Sequence, residues 1–271
     1  MSWPTSDDDL SVFAARGTPP FPAVCTVGSV SHDGARIRYA CWGEGPAVIL
    51  LHGGLGHGGN WGYQAPALVD AGYCAIVIDS RGHGHSIHDG RPLSYELMAA
   101  DVLAVMDALA VRRAALVGWS DGACTALILG HSAPERVAGV LFFACNMDPS
   151  GTKEIDESNP VIGRCFARHA RDYEELSATP DGFEALVAAV NEMQRTQPNY
   201  SARQLADVRV PVSVVQGEHD EFITRQHAEY LARSIPGAEL IMLPDVSHFA
   251  PLQRPRLFND VLRGFVSRIH I

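Results

Sequence analysis

Short runs of uninterrupted apolar residues alternate with longer amphipathic stretches along this sequence, and that alternation constrains the fold more than any other feature. The apolar runs lie at 46–51, 73–78, 114–117, 137–143, 212–215 and 239–243. The stretch 94–110 shows the other pattern, because Met98, Val102 and Val105 form one apolar stripe at helical spacing. Apolar runs joined by helices are typical of a mostly parallel sheet that helices cover on both faces. The sequence therefore predicts an α/β fold, with an antiparallel entry at 26–42, where strand-like alternation occurs.

Two segments depart from this alternation. Residues 1–22 are rich in Pro, Ser and Asp and lack periodicity, so they are predicted to form a loosely structured lead-in. Residues 147–206 contain no convincing strand and show two helical patterns, which indicates a helical insertion too short to be an independent domain. We expect this insertion to lie over one end of the sheet as a cap or lid, with 23–146 and 207–271 forming the core.

The composition disfavours several classes of partner. The chain has 21 Lys and Arg residues against 31 Asp and Glu residues, for a net charge of -10. Such a surface repels phosphate backbones and anionic lipids, which argues against nucleic-acid and membrane partners. The polar N-terminus does not resemble a signal peptide, and no apolar run approaches the roughly 18 residues of a membrane span. A cytoplasmic protein with free thiols is predicted, since its six cysteines include no CxxC pair.

The pentapeptide Gly-Trp-Ser-Asp-Gly at 118–122 follows one apolar run and opens a helical stretch. A GxSxG sequence between a strand and a helix is typical of a sharp turn that exposes a nucleophilic serine. The turn strains the backbone of the serine, and the flanking glycines allow strand and helix to approach each other. The hydroxyl then lies at a helix N-terminus, where negative charge is favoured. We therefore predict that Ser120 is a nucleophile.

A glycine-rich loop, His-Gly-Gly-Leu-Gly at 52–56, follows the apolar run 46–51. In such a loop, main-chain N–H groups can point at one substrate oxygen. We predict that the amides of Gly54 and Asp121 form an oxyanion hole, with Leu55 as the next candidate for the loop donor. The loss of one such donor typically costs about 3 kcal/mol of transition-state stabilisation.

A nucleophilic serine needs a base, and the base needs an acid that orients it. Asp220 and His248 each lie in a loop after a predicted strand, the position at which open α/β sheets place their sites. Their order in the chain after Ser120 is the order Ser, Asp, His. Four other carboxylates compete with Asp220 for the orienting role: Asp148, Glu218, Glu221 and Asp245. Carboxylates in loops are usually just solvated, and Asp220 is preferred.

Together these motifs resemble the α/β-hydrolase superfamily from about residue 26 to the C-terminus. Loop 52–56, the segment 79–86 (Asp-Ser-Arg-Gly-His-Gly-His-Ser), pentapeptide 118–122 and the loops at 217–220 and 247–249 each match a family motif. Within the superfamily, the sequence is most similar to valacyclovir-hydrolase-like serine esterases. The resemblance implies an α/β-hydrolase fold with a mostly parallel, doubly covered sheet and a small helical lid. It also implies a catalytic triad of Ser120, Asp220 and His248 that needs no cofactor.

His83, His85 and His88 form an HxHxxH cluster, which is a spacing that metal sites can use. The cluster lacks the aspartate that precedes the third histidine in binuclear HxHxDH hydrolases. The family resemblance explains His83 as a residue that structures its loop. No metal site is predicted here.

The Asp121 carboxylate has two interpretations that the sequence leaves open. A negative charge beside the nucleophile would attract an ammonium group, and the resemblance implies that aminoacyl-ester hydrolases use this aspartate to hold the substrate amine. Alternatively, Asp121 is a helix N-terminal carboxylate that needs no ligand. Trp61, Trp119 and Phe249 are the aromatic residues that the sequence ties to catalytic loops, and they are candidate substrate-binding residues.

We therefore predict a serine hydrolase that cleaves uncharged carboxylic esters through an acyl-enzyme. Four alternatives remain open at this stage. The same machinery serves a lactonase, including one that opens acyl-homoserine lactones, a cofactor-free haloperoxidase or perhydrolase, and a carbon–carbon bond hydrolase. The fourth is a small-molecule sensor that keeps the triad without turnover. The predicted partner is a small-molecule ester or lactone, and the protein is expected to be a monomer or homodimer.

Overall fold

A computed structural model describes residues 10–22, 26–156 and 158–271. Its eight described strands are β1 Thr26–His32, β2 Ala35–Trp42, β3 Ala47–Leu51, β4 Cys74–Ile78, β5 Ala114–Trp119, β6 Val137–Phe143, β7 Val212–Gly217 and β8 Glu239–Leu243. They form one sheet in the order β1-β2-β4-β3-β5-β6-β7-β8. β2 pairs antiparallel with both β1 and β4, and all other neighbouring strands are parallel. The predicted α/β class with an antiparallel entry is confirmed.

Helices cover both faces of the sheet. They are α1 Leu10–Arg16, α2 Gln64–Asp70, α3 Tyr95–Ala108, α4 Asp121–Ser132, α5 Pro160–Leu176, α6 Phe183–Thr196, α7 Ala202–Ala206, α8 Arg225–Ser234, α9 Ala250–Gln253 and α10 Pro255–Arg268. Alternate residues of β3 enter different cores: Ile49 and Leu51 pack on one side, and Val48 and Leu50 on the other. Side chains of a strand alternate between the two faces of its sheet, so an uninterrupted apolar run is what two covered faces require.

The lead-in contains a helix that the sequence analysis did not predict. Residues 1–22 were expected to be loosely structured, but α1 forms there, and Leu10 and Phe13 are 4% and 3% exposed. The Phe13 ring meets the ring of His169 on α5 edge to face at 5.6 Å. A helix of seven residues is too short to be stable alone, so this contact and the burial of its two apolar side chains hold it. Residues 1–9 lie outside the described part.

Residues 147–206, which we call the cap segment, connect β6 to β7 and carry α5, α6 and α7. The segment reaches the loops at the C-terminal edge of the sheet. Asp172 on α5 lies 3.4 Å from His57 Nε2, just after the glycine-rich loop, and also accepts a hydrogen bond from Arg168. Among the described helices, none is both long and apolar enough to cross a bilayer.

The two ends of the described chain contact different parts of the fold. α1 packs against α5 of the cap segment. Ile269, just past α10, packs instead beside Gly139 near the start of β6, where a Cβ at Gly139 would lie 3.2 Å from Ile269 Cγ2. The start of β6 belongs to the edge of the sheet opposite the loops that carry Ser120, Asp220 and His248.

Candidate active site

Ser120 occupies the turn between β5 and α4 in a strained conformation, with φ +53° and ψ −124°. A backbone of this kind costs on the order of 1–3 kcal/mol for a residue other than glycine. The flanking glycines are required by contact distances: a Cβ at Gly118 would lie 2.3 Å from the Gly122 oxygen, and one at Gly122 would lie 2.2 Å from the Leu51 oxygen. β5, α4 and β3 are therefore close enough that only glycine fits on either side of this serine.

The glycine-rich loop after β3 lies directly against this turn. A Cβ at Gly53 would be 3.1 Å from Ser120 Cβ, and one at Gly54 would be 2.6 Å from Asp121 Oδ2. Asp121 is the first residue of α4, so its main-chain N–H has no partner within the helix. The structure thus brings together Gly54, Asp121 and the predicted nucleophile. The alternative donor, Leu55, follows in the same loop with φ +63°.

His52 holds the start of that loop. Its Nε2 accepts a hydrogen bond from the Ser80 N–H at 3.0 Å, so its Nδ1 carries the proton and donates to the Gly53 oxygen at 2.7 Å. Burial lowers the pKa of His52 to about 4, which keeps the ring neutral near pH 7. A neutral imidazole with this tautomer can serve both partners at once.

His248 and Asp220 form a buried pair. His248 Nδ1 donates to Asp220 Oδ2 at 3.0 Å, and the two residues are 5% and 2% exposed. A carboxylate only accepts hydrogen bonds, so the proton is on Nδ1 and Nε2 is left as a base. The centre of the imidazole ring lies 6.1 Å from the centre of the Trp119 ring, and Trp119 directly precedes Ser120 in the chain. Among the described residues the Ser120 hydroxyl has no hydrogen-bond partner. The hydrogen bond between a nucleophile and its base often forms or tightens only in the substrate complex.

The competing carboxylates have other partners. Glu221 accepts from the main-chain N–H of His248 at 2.9 Å, and burial raises the pKa of Glu221. Glu218 accepts from the Asp245 N–H at 3.1 Å. Asp148 caps the turn at Ser150 and lies 3.9 Å from His227. Of the five acids, Asp220 is the one that hydrogen-bonds the His248 ring.

The three candidate substrate-binding aromatics pack together near His248. Trp119 meets Phe249 edge to face at 5.7 Å and Trp61 at 6.2 Å. Trp119 and Phe249 are 3% and 6% exposed, whereas Trp61 is fully buried and also packs against Phe258. In this structure Trp61 is a core residue behind Trp119, and contact of any of the three with substrate stays a prediction.

The Asp121 carboxylate has two partners that the sequence analysis did not find. Tyr95 Oη donates to Asp121 Oδ1 at 2.8 Å, and Gln194 Nε2 lies 2.9 Å and 3.1 Å from the two carboxylate oxygens. Burial raises the pKa of Asp121, and the two hydrogen bonds act in the opposite direction. An ammonium group would therefore meet a carboxylate that two neutral side chains already hold. Nothing in the local sequence signals either partner.

The histidines at 83, 85 and 88 face different groups. His83 Nδ1 contacts the Arg81 oxygen at 3.0 Å, His85 Nδ1 contacts Asp79 Oδ2 at 3.1 Å, and His88 Nδ1 accepts from the Gly90 N–H. Within the described part of the chain, one group of three possible metal ligands lies within 4.8 Å of one another: Glu218, His219 and Asp245. All three side chains are exposed, and exposed charged or polar groups in loops are usually just solvated.

Comparison with known proteins identifies the family of this chain. Residues 48–261 match the alpha/beta hydrolase family. The chain is 27% identical over 261 residues to Serine hydrolase BPHL of Homo sapiens, covering 91% of this chain and 88% of that protein. A solved structure described as "Est816 as an N-Acyl homoserine lactone degrading enzyme" is 33% identical, with a TM-score of 0.68 over 88% of this chain and 100% of that one. The enol-lactonase from Burkholderia xenovorans LB400 shares the fold, with 23% identity and a TM-score of 0.69 over 89% of this chain and 100% of that one.

The family match extends from β3 into α10 and so includes every loop that carries the predicted site. It spans well over half of the chain. The sheet order, the strained serine turn and the comparisons all point to the same superfamily. This chain is a hydrolase of the alpha/beta hydrolase family.

Proposed function

We propose that this protein is a serine hydrolase that cleaves uncharged carboxylic esters through an acyl-enzyme. The observation that carries the proposal is the buried hydrogen bond of 3.0 Å between His248 Nδ1 and Asp220, beside the strained turn of Ser120. A histidine oriented in this way has its other nitrogen free to act as a base toward a serine. The required groups are all side chains and amides of the chain itself.

In the proposed mechanism, Ser120 Oγ attacks the ester carbonyl carbon while His248 Nε2 takes the hydroxyl proton. The carbonyl oxygen becomes an oxyanion, and the amides of Gly54 and Asp121 donate to it. His248 then gives its proton to the leaving alcohol as the carbon–oxygen bond breaks. Water attacks the acyl-enzyme with the same base, releasing the acid and restoring Ser120.

The cap segment is proposed to be the lid over this site. Two of its α6 residues, Val190 and Gln194, lie within 3.2 Å of the place that a Cβ on Gly54 would take. This contact supports a substrate pocket with one wall from the core loops and one from the cap segment. Trp119 and Phe249 are proposed to line it from the core side, since they surround the His248 ring.

The test is a hydrolysis panel on wild type and Ser120→Ala, with p-nitrophenyl acyl esters of increasing length. Loss of the nucleophile should lower kcat by about 10⁴-fold or more while the protein stays folded. Ser132→Ala, an exposed serine at the end of the same helix, is the control and should keep wild-type turnover. Near-normal turnover by Ser120→Ala would overturn the mechanism.

Lactone opening is the second candidate function. It is favoured by the 33% identity to the structure described as an N-acyl homoserine lactone degrading enzyme. A cyclic ester needs the same nucleophile and oxyanion hole, so the two functions differ only in pocket shape. Acyl-homoserine lactones added to the panel decide between them: a kcat/KM at least about tenfold above that for linear esters would make the protein a lactonase.

A further inference from the structure

The Asp121 carboxylate is held from two separate parts of the fold. Tyr95, the first residue of α3, is buried and donates its hydroxyl to Oδ1 at 2.8 Å. Gln194 lies on α6 of the cap segment, with an otherwise exposed side chain, and its amide reaches both oxygens at 2.9 Å and 3.1 Å. Asp121 itself is 6% exposed. The carboxylate of the residue that follows the nucleophile is therefore hydrogen-bonded to both the core helix α3 and the cap segment.

The side chains of Asp121 and Gln194 also reach the second donor of the proposed oxyanion hole. Asp121 supplies one main-chain N–H, and its carboxylate lies against Gly54, which supplies the other. A Cβ built at Gly54 would be 2.6 Å from Asp121 Oδ2 and 3.1 Å from Gln194 Nε2. The Asp121 side chain therefore lies against the backbone of one donor and belongs to the residue that supplies the other.

The charge of this carboxylate makes its orientation matter. A negative group beside the point where an oxyanion develops opposes the reaction, and the opposition is strong in a buried site. Tyr95 and Gln194 are neutral donors, so their positive ends face the carboxylate and offset part of its field. Removing either donor leaves the carboxylate less compensated and less firmly oriented beside Gly54.

We propose that Tyr95 and Gln194 are positioning residues for the oxyanion hole, acting through the Asp121 carboxylate. This proposal rests on the proposed function, since it assigns a role within that same site. It implies that the hole has its working geometry only while α6 rests on the first turn of α4. The cap segment is then part of the catalytic arrangement as well as a wall of the pocket.

The test compares Tyr95→Phe and Gln194→Met with matched controls that remove equivalent bonds elsewhere. Tyr73→Phe removes a tyrosine hydroxyl that donates to the Val266 oxygen at 3.2 Å. Gln204→Met removes another cap-segment glutamine, whose side-chain oxygen accepts from Ser201 within the same segment and not from the residues around Asp121. For each variant, kcat and KM for one p-nitrophenyl ester, affinity for an alkyl boronic acid that mimics the tetrahedral intermediate, and the melting temperature are measured.

Both test variants should lose about tenfold in kcat with KM changed less than about threefold, and their boronic acid affinity should fall in parallel. The two controls should stay within about twofold of wild type. Wild-type kcat in both test variants, or equal losses in variants and controls, would overturn the positioning role while Ser120→Ala still marks the enzyme as a serine hydrolase. If wild type turns over neither esters nor lactones, the proposed function fails and the positioning role fails with it.

Discussion

The two oxygens of the Asp220 carboxylate have different partners. Oδ1 accepts the main-chain N–H groups of Phe222 and Ile223, each at 2.8 Å, and Oδ2 accepts from His248 Nδ1. The side chain is thus oriented by its own loop before any substrate binds. This asymmetry decides what an asparagine would do at the same position.

In Asp220→Asn, the side-chain oxygen should stay on the two main-chain N–H groups, because an NH₂ group cannot accept from them. The NH₂ group then faces His248 Nδ1 and forces the proton onto Nε2, which removes the base. We expect kcat to fall by about 10⁴-fold with little change in folding.

The matched control for this prediction is Glu221→Gln, whose oxygen can still accept from the His248 main-chain N–H. It should remain within about threefold of wild-type kcat. Steady-state kinetics on one ester checks both variants. An Asp220→Asn enzyme that keeps more than about 1% of activity would show that another acid orients the histidine.

At the scale of single residues, the sequence identifies some residues of the candidate site and misses others. Ser120, Asp220 and His248 each lie in a short motif next to a strand, so local patterns suffice to nominate them. Tyr95 and Gln194 lie 26 and 73 residues from Asp121, and only the folded chain brings them to it. Trp61 shows the converse limit: a position near a catalytic loop did not reveal that the core buries it completely.

At the level of elements, the contact between α4 and β3 depends on a missing side chain. A Cβ at Gly122 would lie 2.2 Å from the Leu51 oxygen and 2.6 Å from the His52 oxygen. Both obstacles are backbone atoms, which cannot turn aside as a flexible side chain can. Gly163 on α5 is different, because nothing lies within 4 Å of a Cβ built there.

Gly122→Ala should therefore lower the free energy of unfolding by at least about 2 kcal/mol, since α4 must move away from β3. Gly163→Ala is the control, and it should raise that free energy by about 0.5–1 kcal/mol, because alanine favours a helix interior. Urea denaturation of both variants and wild type measures the difference. Equal effects of the two substitutions would contradict the close approach.

The sequence predicts the buried strands of this fold well and its short helices poorly. The apolar run 137–143 coincides with β6, whose seven residues are all buried, because a strand buried on both faces leaves a continuous apolar signal. α1 and α7 have seven and five residues, too few for a periodic pattern to emerge. Such helices form where the rest of the fold offers a surface, so their signal lies in tertiary contacts.

For the molecule as a whole, buried histidines couple stability to pH. Burial lowers the pKa of His52 to about 4, of His83 to about 3 and of His169 to about 4, from an ordinary value of 6.5. Near pH 7 these rings are neutral in both the folded and the unfolded chain. As the pH falls below 6.5, the unfolded chain takes up protons that the folded chain refuses.

We therefore expect the free energy of unfolding to decrease as the pH falls from about 6.5 toward about 4, and this contribution to level off below the folded-state pKa values. Each histidine adds at most about 1.4 kcal/mol per pH unit to the slope. Urea denaturation at several pH values measures it. His169→Phe should reduce the slope, while His270→Gln, at the exposed end of the chain, should leave it unchanged. An identical slope in His169→Phe and wild type would contradict the assignment.

The separate positions of the two ends of the described chain bear on how this enzyme could be tethered to a solid support. Ile269 packs at the start of β6, so a linker joined after Ile271 would leave from the sheet edge that faces away from Ser120. A linker joined immediately before Leu10 would instead compete with the packing of α1 on α5. Anchoring through the C-terminus is thus the geometry that keeps a support away from the loops that carry Ser120, Asp220 and His248.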